Sequence, residues 1–299
     1  MPATSLPRRT LGPLLREYRI RAKKGQLSAS LHIEISPQGI SRLEDGHKIK
    51  IATSQLKDLL DLYQVTEGER ELVLGLWDEI KRQEQIAKRS GTAKGWWRAY
   101  EDQLLPNFDY YLSLESATDH MTTHQLVLVP GLLQTPDYRR ALIKGYEPDL
   151  SAVDVERRLE LATRRQAKLQ DESFRLDVLI SEAVLRHEAG GPAVMAAQLR
   201  RLVEPADRAT VSVRVVPFQT GAHPGLVVLS FSLLEFPPLT SRLVQPPVIY
   251  TEGAEGGLYL EREDVIGRYR RAIGGIEAVA LNEEDTRDLV LAIAKEYAA

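Results

Sequence analysis

Apolar residues in the first ninety positions recur at intervals of three and four. Leu11, Leu14, Leu15 and Tyr18 share one face and predict a helix over residues 11–19. A short second helix is expected over 28–34, with Leu31 turned inward. The run Ser36-Pro37-Gln38-Gly39-Ile40-Ser41-Arg42-Leu43-Glu44 predicts a third. Ser36 suits the N-cap, Pro37 the first helical position, and Gly46 the stop. Ile40 and Leu43 give it one inward face, leaving Pro37, Gln38, Ser41 and Arg42 outside. A fourth helix over 53–63 carries Leu56, Leu59, Leu60 and Tyr63 at helical spacing. A fifth, over 67–90, opens on Glu67 and Glu69 and closes on Lys88 and Arg89, as the helix dipole favours.

The small, polar, glycine-flanked stretch 90–95 reads as a linker. Beyond it, helices are expected over 112–120, 135–144 and 153–170, the last capped by Ser151 with Asp154 three residues on. The pattern then turns to strands, at 175–181, 210–217, 228–236 and 247–252. The stretch 210–217 alternates most cleanly. Helices are expected at 192–204, 264–273 and 283–297, the last capped by Asn282. The expected fold class is multidomain: an all-α head over residues 1–90 and a mixed α+β body over 96–299.

The outward side chains of the third helix are suited to reading DNA. Gln and Arg each bond two base-edge atoms at once in a major groove. Residues 1–50 hold ten Lys or Arg against four Asp or Glu, a net +6. The whole chain carries −3, leaving −9 beyond residue 50. A basic head on an acidic body fits a nucleic-acid module whose partner domain stays off the DNA, although a solvated charged surface would look the same. The pattern Ser-x-x-x-Ile-Ser-Arg-Leu-Glu-x-Gly from Ser36 to Gly46 resembles the third helix of xenobiotic-response-element-type helix-turn-helix regulators.

The resemblance implies a helix-turn-helix head. Its candidate DNA contacts are Gln26, Ser28, Ser36, Pro37, Gln38, Ser41, Arg42, Lys48 and Lys50. Residues 25–32 are two or three positions shorter than the family's second helix, so its phosphate-contacting start falls at Gln26 or Ser28. Arg19 and Glu44 match positions that pair as an ion bridge in that family. The phrases Leu128-Val129-Pro130-Gly131-Leu132-Leu133-Gln134-Thr135-Pro136-Asp137-Tyr138, Val215-Val216-Pro217-Phe218 with Gly221-Ala222-His223-Pro224-Gly225, and Gly256-Gly257-Leu258-Tyr259-Leu260-Glu261 extend the likeness over nearly the whole chain. They are similar to actinobacterial antitoxin-like transcriptional regulators, in which a helix-turn-helix head precedes an effector domain of unknown function. That resemblance implies a regulator of a double-stranded DNA operator, with a small-molecule effector or a small acidic partner protein. Because one short recognition helix reads few base pairs, a homodimer presenting two heads is expected.

Composition narrows the remaining chemistry. The chain has 299 residues, 43% of them hydrophobic and 27% charged, an ordinary globular balance. It has no cysteine, which excludes disulfides, thiolate zinc sites and a Cys nucleophile. No apolar run reaches membrane-span length and residues 1–10 lack an apolar signal core, so a cytoplasmic location and no membrane are expected. No cofactor and no metal site are expected. His120 and His124 stand four apart on an expected helix, without the following Glu of a zinc protease. Glu252 to Gly257 is acidic and lacks the Lys-Ser or Lys-Thr of a phosphate cradle. Arg157, Arg158, Arg164 and Arg165 could meet DNA or an acidic partner, or pair with Glu156 and Glu160 on a solvated face.

Effector or partner candidates are Trp96, Trp97, Tyr100 and His223. The aromatic cluster, with Tyr110 and Tyr111, suits either a domain seam or an apolar ligand cavity. The loop 221–225 suits either a pocket-shaping turn or a hairpin-like connection. The chain is expected not to be an enzyme, since no nucleophile–base constellation stands out. The alternative is an enzyme domain tethered to DNA by the head.

Overall fold

A computed structural model describes residues 6–89, 96–105, 108–204, 210–238, 245–254 and 256–298. The expected linker at 90–95 lies outside them. The chain forms a helical N-terminal region followed by a mixed body built on one six-stranded sheet. It divides into two compact units. One comprises residues 1–98 with 236–246, the other residues 99–235 with 247–299. Among the described residues no helix is long and apolar enough to cross a membrane.

The N-terminal unit holds helices α1 (Leu6–Arg21), α2 (Gln26–His32), α3 (Pro37–Glu44), α4 (Thr53–Leu62) and α5 (Glu67–Arg89). Their common core includes Leu11, Leu15 and Tyr18 of α1, Ile40 and Leu43 of α3, Leu56, Leu59 and Leu60 of α4, and Trp77 of α5. Helix α1 tolerates Pro13 in its interior and starts five residues before the expected position. It approaches α3 so closely that a Cβ on Gly12 would sit 2.5 Å from the Glu44 carbonyl oxygen. The expectation for α2 needs correcting. Leu31 is 70% exposed, and the buried residues are Ala29 and Ser30, with Ile33 just beyond the helix. The inward stripe is set by small side chains that allow close packing, and Ser30 satisfies its hydroxyl by donating to the Leu27 carbonyl at 2.8 Å.

A 3₁₀ stretch (Trp96–Gln103) runs across the boundary at residue 98, and the body continues with α6 (Phe108–Ala117), β1 (His120–Gln125), α7 (Pro136–Tyr146), α8 (Ala152–Gln166) and β2 (Arg175–Ser181). After these come α9 (Glu182–Arg186), α10 (Pro192–Val203), β3 (Val211–Val216), α11 (Gly225–Val228) and β4 (Phe231–Glu235). The chain closes with β5 (Val248–Gly253), β6 (Gly256–Leu260), α12 (Glu263–Glu277) and α13 (Glu283–Glu296). The sheet order is β3-β2-β1-β4-β5-β6, with β1, β2 and β3 parallel and the remaining pairings antiparallel. Helical crossovers join the parallel strands, as parallel pairing requires.

Strand β1 corrects the expectation of a helix over 112–120 that carries on toward His124. The helix stops at Ala117, and His120 to Gln125 form a central strand. Four of its six residues are buried, on both faces, so it shows no polar–apolar alternation to read. The adjacent Thr122 and Thr123 favour extended backbone.

One sheet face packs Leu179, Phe231, Leu233 and Ile249 against Ile266, Ile273 and Ile276 of α12. The other carries Met121, Thr123 and Gln125 of β1. Thr123 lies in register with Ser232, and Ser232 with Tyr250. This second face forms the floor of a cavity.

Candidate functional site

Two places bring chemistry together, one in each unit. In the N-terminal unit, Ser36 caps α3 by accepting from the Gly39 N–H at 3.0 Å, with Pro37 in the first turn. The buried Glu44 at its end receives Arg19 through both guanidinium arms, Nε at 2.5 Å and Nη2 at 2.8 Å. The Arg16 Nε at 3.5 Å and the Gln26 amide at 3.3 Å also donate to Glu44. This carboxylate thus ties α1, α2 and α3 together. The pairing expected from the resemblance is present, and Glu44 holds the Arg19 guanidinium above its usual pKa, against the opposing pull of burial.

The clamp leaves the far side of α3 open. Ser36, Pro37, Gln38 and Arg42 are exposed, and Ser41 is half-buried with its hydroxyl 3.5 Å from Asp45 Oδ2. Helix α2 begins at Gln26, whose side chain is turned to Glu44, while Ser28 is exposed. Gly25 provides no side-chain cap there. Lys48 and Lys50 are exposed, and Lys48 pairs with Glu84 at 2.9 Å.

In the body, a cavity of about 530 Å³ lies between the sheet floor and helices α6, α7 and α8. Phe108, Leu128, Leu142, Ile143 and Tyr250 give it apolar walls, and three guanidiniums also line it, those of Arg139, Arg158 and Arg165. Arg165 is buried and forms two parallel bonds to Glu115, at 2.9 and 2.8 Å. Burial pulls its pKa down, and the Glu115 carboxylate more than offsets that. Arg158 does the same with Glu147, at 2.7 and 3.0 Å. Burial pushes the Tyr250 phenol well above its usual pKa, so it stays protonated against the Tyr111 ring, 4.3 Å away between centroids.

The effector candidates lie elsewhere. Trp96 and Trp97 stack edge to face at 5.8 Å. Tyr100 is buried, with the Arg164 guanidinium 5.9 Å from its ring. His223 accepts from the Gly225 N–H at 3.2 Å and stands 6.4 Å from the His124 ring. None of these four lines the cavity, whereas Tyr111 does. The segment carrying His223 joins β3 to β4, which are not neighbours, so it is no hairpin. Two arginines of α8 also find other partners than expected. Arg157 pairs with Asp102 and Arg158 with Glu147, while Glu156 pairs with Arg140 across helices.

His120 and His124 sit on a strand, where a spacing of four separates them by about 13 Å. Among the described residues no group of three or more His, Asp or Glu could hold a metal ion. His124 is buried, donates from Nδ1 to the Leu229 carbonyl at 2.9 Å, and is held below its usual pKa by burial. His120 is flanked by Asp177 at 2.7 Å and Glu235 at 3.2 Å, which Arg175 and Arg270 approach in turn. The bonds to Asp177 and then Glu235 raise its pKa to about 9.

A pH dependence follows from this triad. His120 contributes stability that is complete below its unfolded pKa near 6.5 and is lost as pH rises through about 9. Its exposure of about a third calls for screening, which reduces the effect to about 1 kcal/mol. Urea midpoints measured from pH 6 to pH 10 should fall for the wild type and fall less for His120→Gln. Parallel curves for the two proteins would remove His120 as the cause.

A family model described as "Domain of unknown function (DUF5753)" matches residues 108–292. The chain belongs to this family. The matched DUF5753 region starts at α6 and ends within α13, so it contains the whole sheet and nearly all of the cavity lining. No curated protein and no solved structure matches the chain. Within the DUF5753 region, the phrase from Leu128 to Tyr138 marks one cavity wall, since Leu128, Val129, Pro130, Gly131, Leu132 and Gln134 all line it. Arg139, directly after that phrase, is not identifiable from the sequence, because a single Arg on an amphipathic helix carries no signal of its own.

Proposed function

We propose that the chain is a sequence-specific, DNA-binding transcriptional regulator of the cytoplasm, with a helix-turn-helix head. It acts as a homodimer, and its DUF5753 body responds to a small molecule or a small acidic partner protein. One observation carries the reading. Helix α3 is capped by Ser36, anchored by Ile40 and Leu43, and clamped through Glu44, while Gln38 and Arg42 project from it into solvent one turn apart. A rigid short helix with two bidentate-capable side chains on its free face is what base-edge readout in a major groove needs. The net +6 of residues 1–50 supplies phosphate attraction.

The test is selection of a preferred duplex from a random pool by the full chain, followed by titration of variants at one salt concentration. Gln38→Ala and Arg42→Ala should each lose about 1–3 kcal/mol on the selected sequence while binding unrelated DNA nearly as before. The complex should contain two chains on one duplex. Variant curves that overlay the wild type would discard α3 as the reading helix.

A further inference from the structure

The three guanidiniums that line the body's cavity differ in one respect. Arg158 is neutralised by Glu147 and Arg165 by Glu115, each through two bonds. Arg139, on α7, forms no ion pair among the described residues. Its Nη1 donates to the neutral Gln134 Oε1 at 3.1 Å, and its Nε is sealed from solvent without an acceptor. Gln134 is itself committed, donating to the Val129 carbonyl at 2.7 Å. Glu252 and Glu115 are the carboxylates whose field reaches Arg139. Glu115 is engaged by Arg165, and Glu252, exposed but also on the cavity lining, forms no ion pair with Arg139. Burial draws the Arg139 pKa down to about 10, which leaves it charged at neutral pH. Arg139 is half-buried, and a cation withdrawn this far from water without a paired carboxylate is costly unless something else supplies the anion.

We propose that this cavity binds an amphipathic organic monoanion, its acid group on the Arg139 guanidinium and its apolar body against Phe108, Leu128, Leu142 and Tyr250. The guanidinium fork matches a carboxylate or sulfonate. One guanidinium without a paired carboxylate, with Glu252 also on the lining, suits a single negative charge and argues against a polyphosphate. The volume of about 530 Å³ lies in the range of small-molecule sites. The proposal rests on the reading that the body binds a small molecule, and it gives that molecule a chemical class.

The experiment uses the full chain with the neutral dye Nile red as a fluorescent reporter, decanoate as anionic competitor and decanol as its neutral counterpart. Decanoate should displace the dye at concentrations about ten-fold or more below those of decanol. Arg139→Gln should abolish that preference while leaving decanol displacement in place, and Arg139→Lys should keep part of it. If Arg139→Gln does not fold, the wild-type preference and the Arg139→Lys titration decide. Equal displacement by decanoate and decanol overturns the proposal, as does a preference unchanged in both Arg139 variants. DNA affinity is measured with and without saturating decanoate. Arg139-dependent decanoate binding supports the site whatever the DNA does, and a DNA affinity indifferent to decanoate counts only against coupling of this site to the head.

Discussion

Glu44→Ala should destabilise the N-terminal unit by about 3–5 kcal/mol, the usual cost of removing one partner from a buried, hydrogen-bonded ion pair. The Glu44 side chain is 1% exposed and Arg19 12%, so solvent cannot replace the lost carboxylate. The variant would strand Arg19 with only the Lys24 carbonyl, at 3.0 Å, and release the Gln26 amide and Arg16 as well. Gly12 adds to the sensitivity, because the close approach of α1 to the end of α3 leaves little room to relax. Glu44→Gln keeps the shape but not the charge, and should lie between the wild type and Glu44→Ala. Hydrogen exchange in urea, read on amides of α1 and α3, would measure the loss locally. A cost below about 1 kcal/mol would mean the pair behaves as an exposed one and does not clamp the helices. DNA affinity should fall too, through disorder of α3, and should recover on cooling or with stabilising osmolyte. A base contact by Glu44 would show no such recovery.

Features whose cause is local in the chain were legible in the sequence. Ser36 and Pro37 start α3 where expected, and Asn282 starts α13, because a cap needs only its own side chain and the next turn. The strand at Arg175–Ser181 matches its expected ends. Features that depend on neighbours distant in sequence were not legible. Leu31 lies outside because Ala29, Ser30 and Ile33 meet the other helices, a choice made by packing distance and not by hydrophobicity. β1 is buried on both faces and so lacks the period that marks a half-exposed strand. Arg157 and Arg158 bypass Glu156 and Glu160 for Asp102 and Glu147, carboxylates outside α8, since i,i+4 pairs are weak and do not decide where a long side chain goes. The cavity illustrates the point most sharply. The phrase around Gly131 reads in the sequence as a family signature and not as a cavity wall, and the feature that gives the cavity chemistry is the missing partner of Arg139. A missing partner is a property of the folded surroundings, which no motif encodes.

The second large effect should come from beneath that cavity, at Glu115. Glu115→Ala should cost the body about 3–5 kcal/mol, because Arg165 would keep its charge in a site sealed from water. The Arg165 and Glu115 side chains are 7% and 3% exposed. Arg165 also lies over the rings of Phe108 and Tyr111, at 5.3 and 5.5 Å from their centroids, so its position sets two aromatic walls. Gly131 is shaped by the same group, since a Cβ there would stand 3.3 Å from Arg165 Nη1. The double variant Glu115→Leu with Arg165→Met removes both charges and keeps much of the volume. It should lose far less than either single change, since desolvating two charges offsets most of their attraction. Urea unfolding of the wild type, Glu115→Leu, Arg165→Met and the double variant forms a double-mutant cycle, and a coupling of about 2 kcal/mol or more is expected for groups in direct contact. Additive losses would mean that the two residues act separately. If coupling is found, the dye experiment on the double variant becomes informative. Arg139 is untouched there, so a preference for decanoate over decanol should survive even with altered aromatic walls.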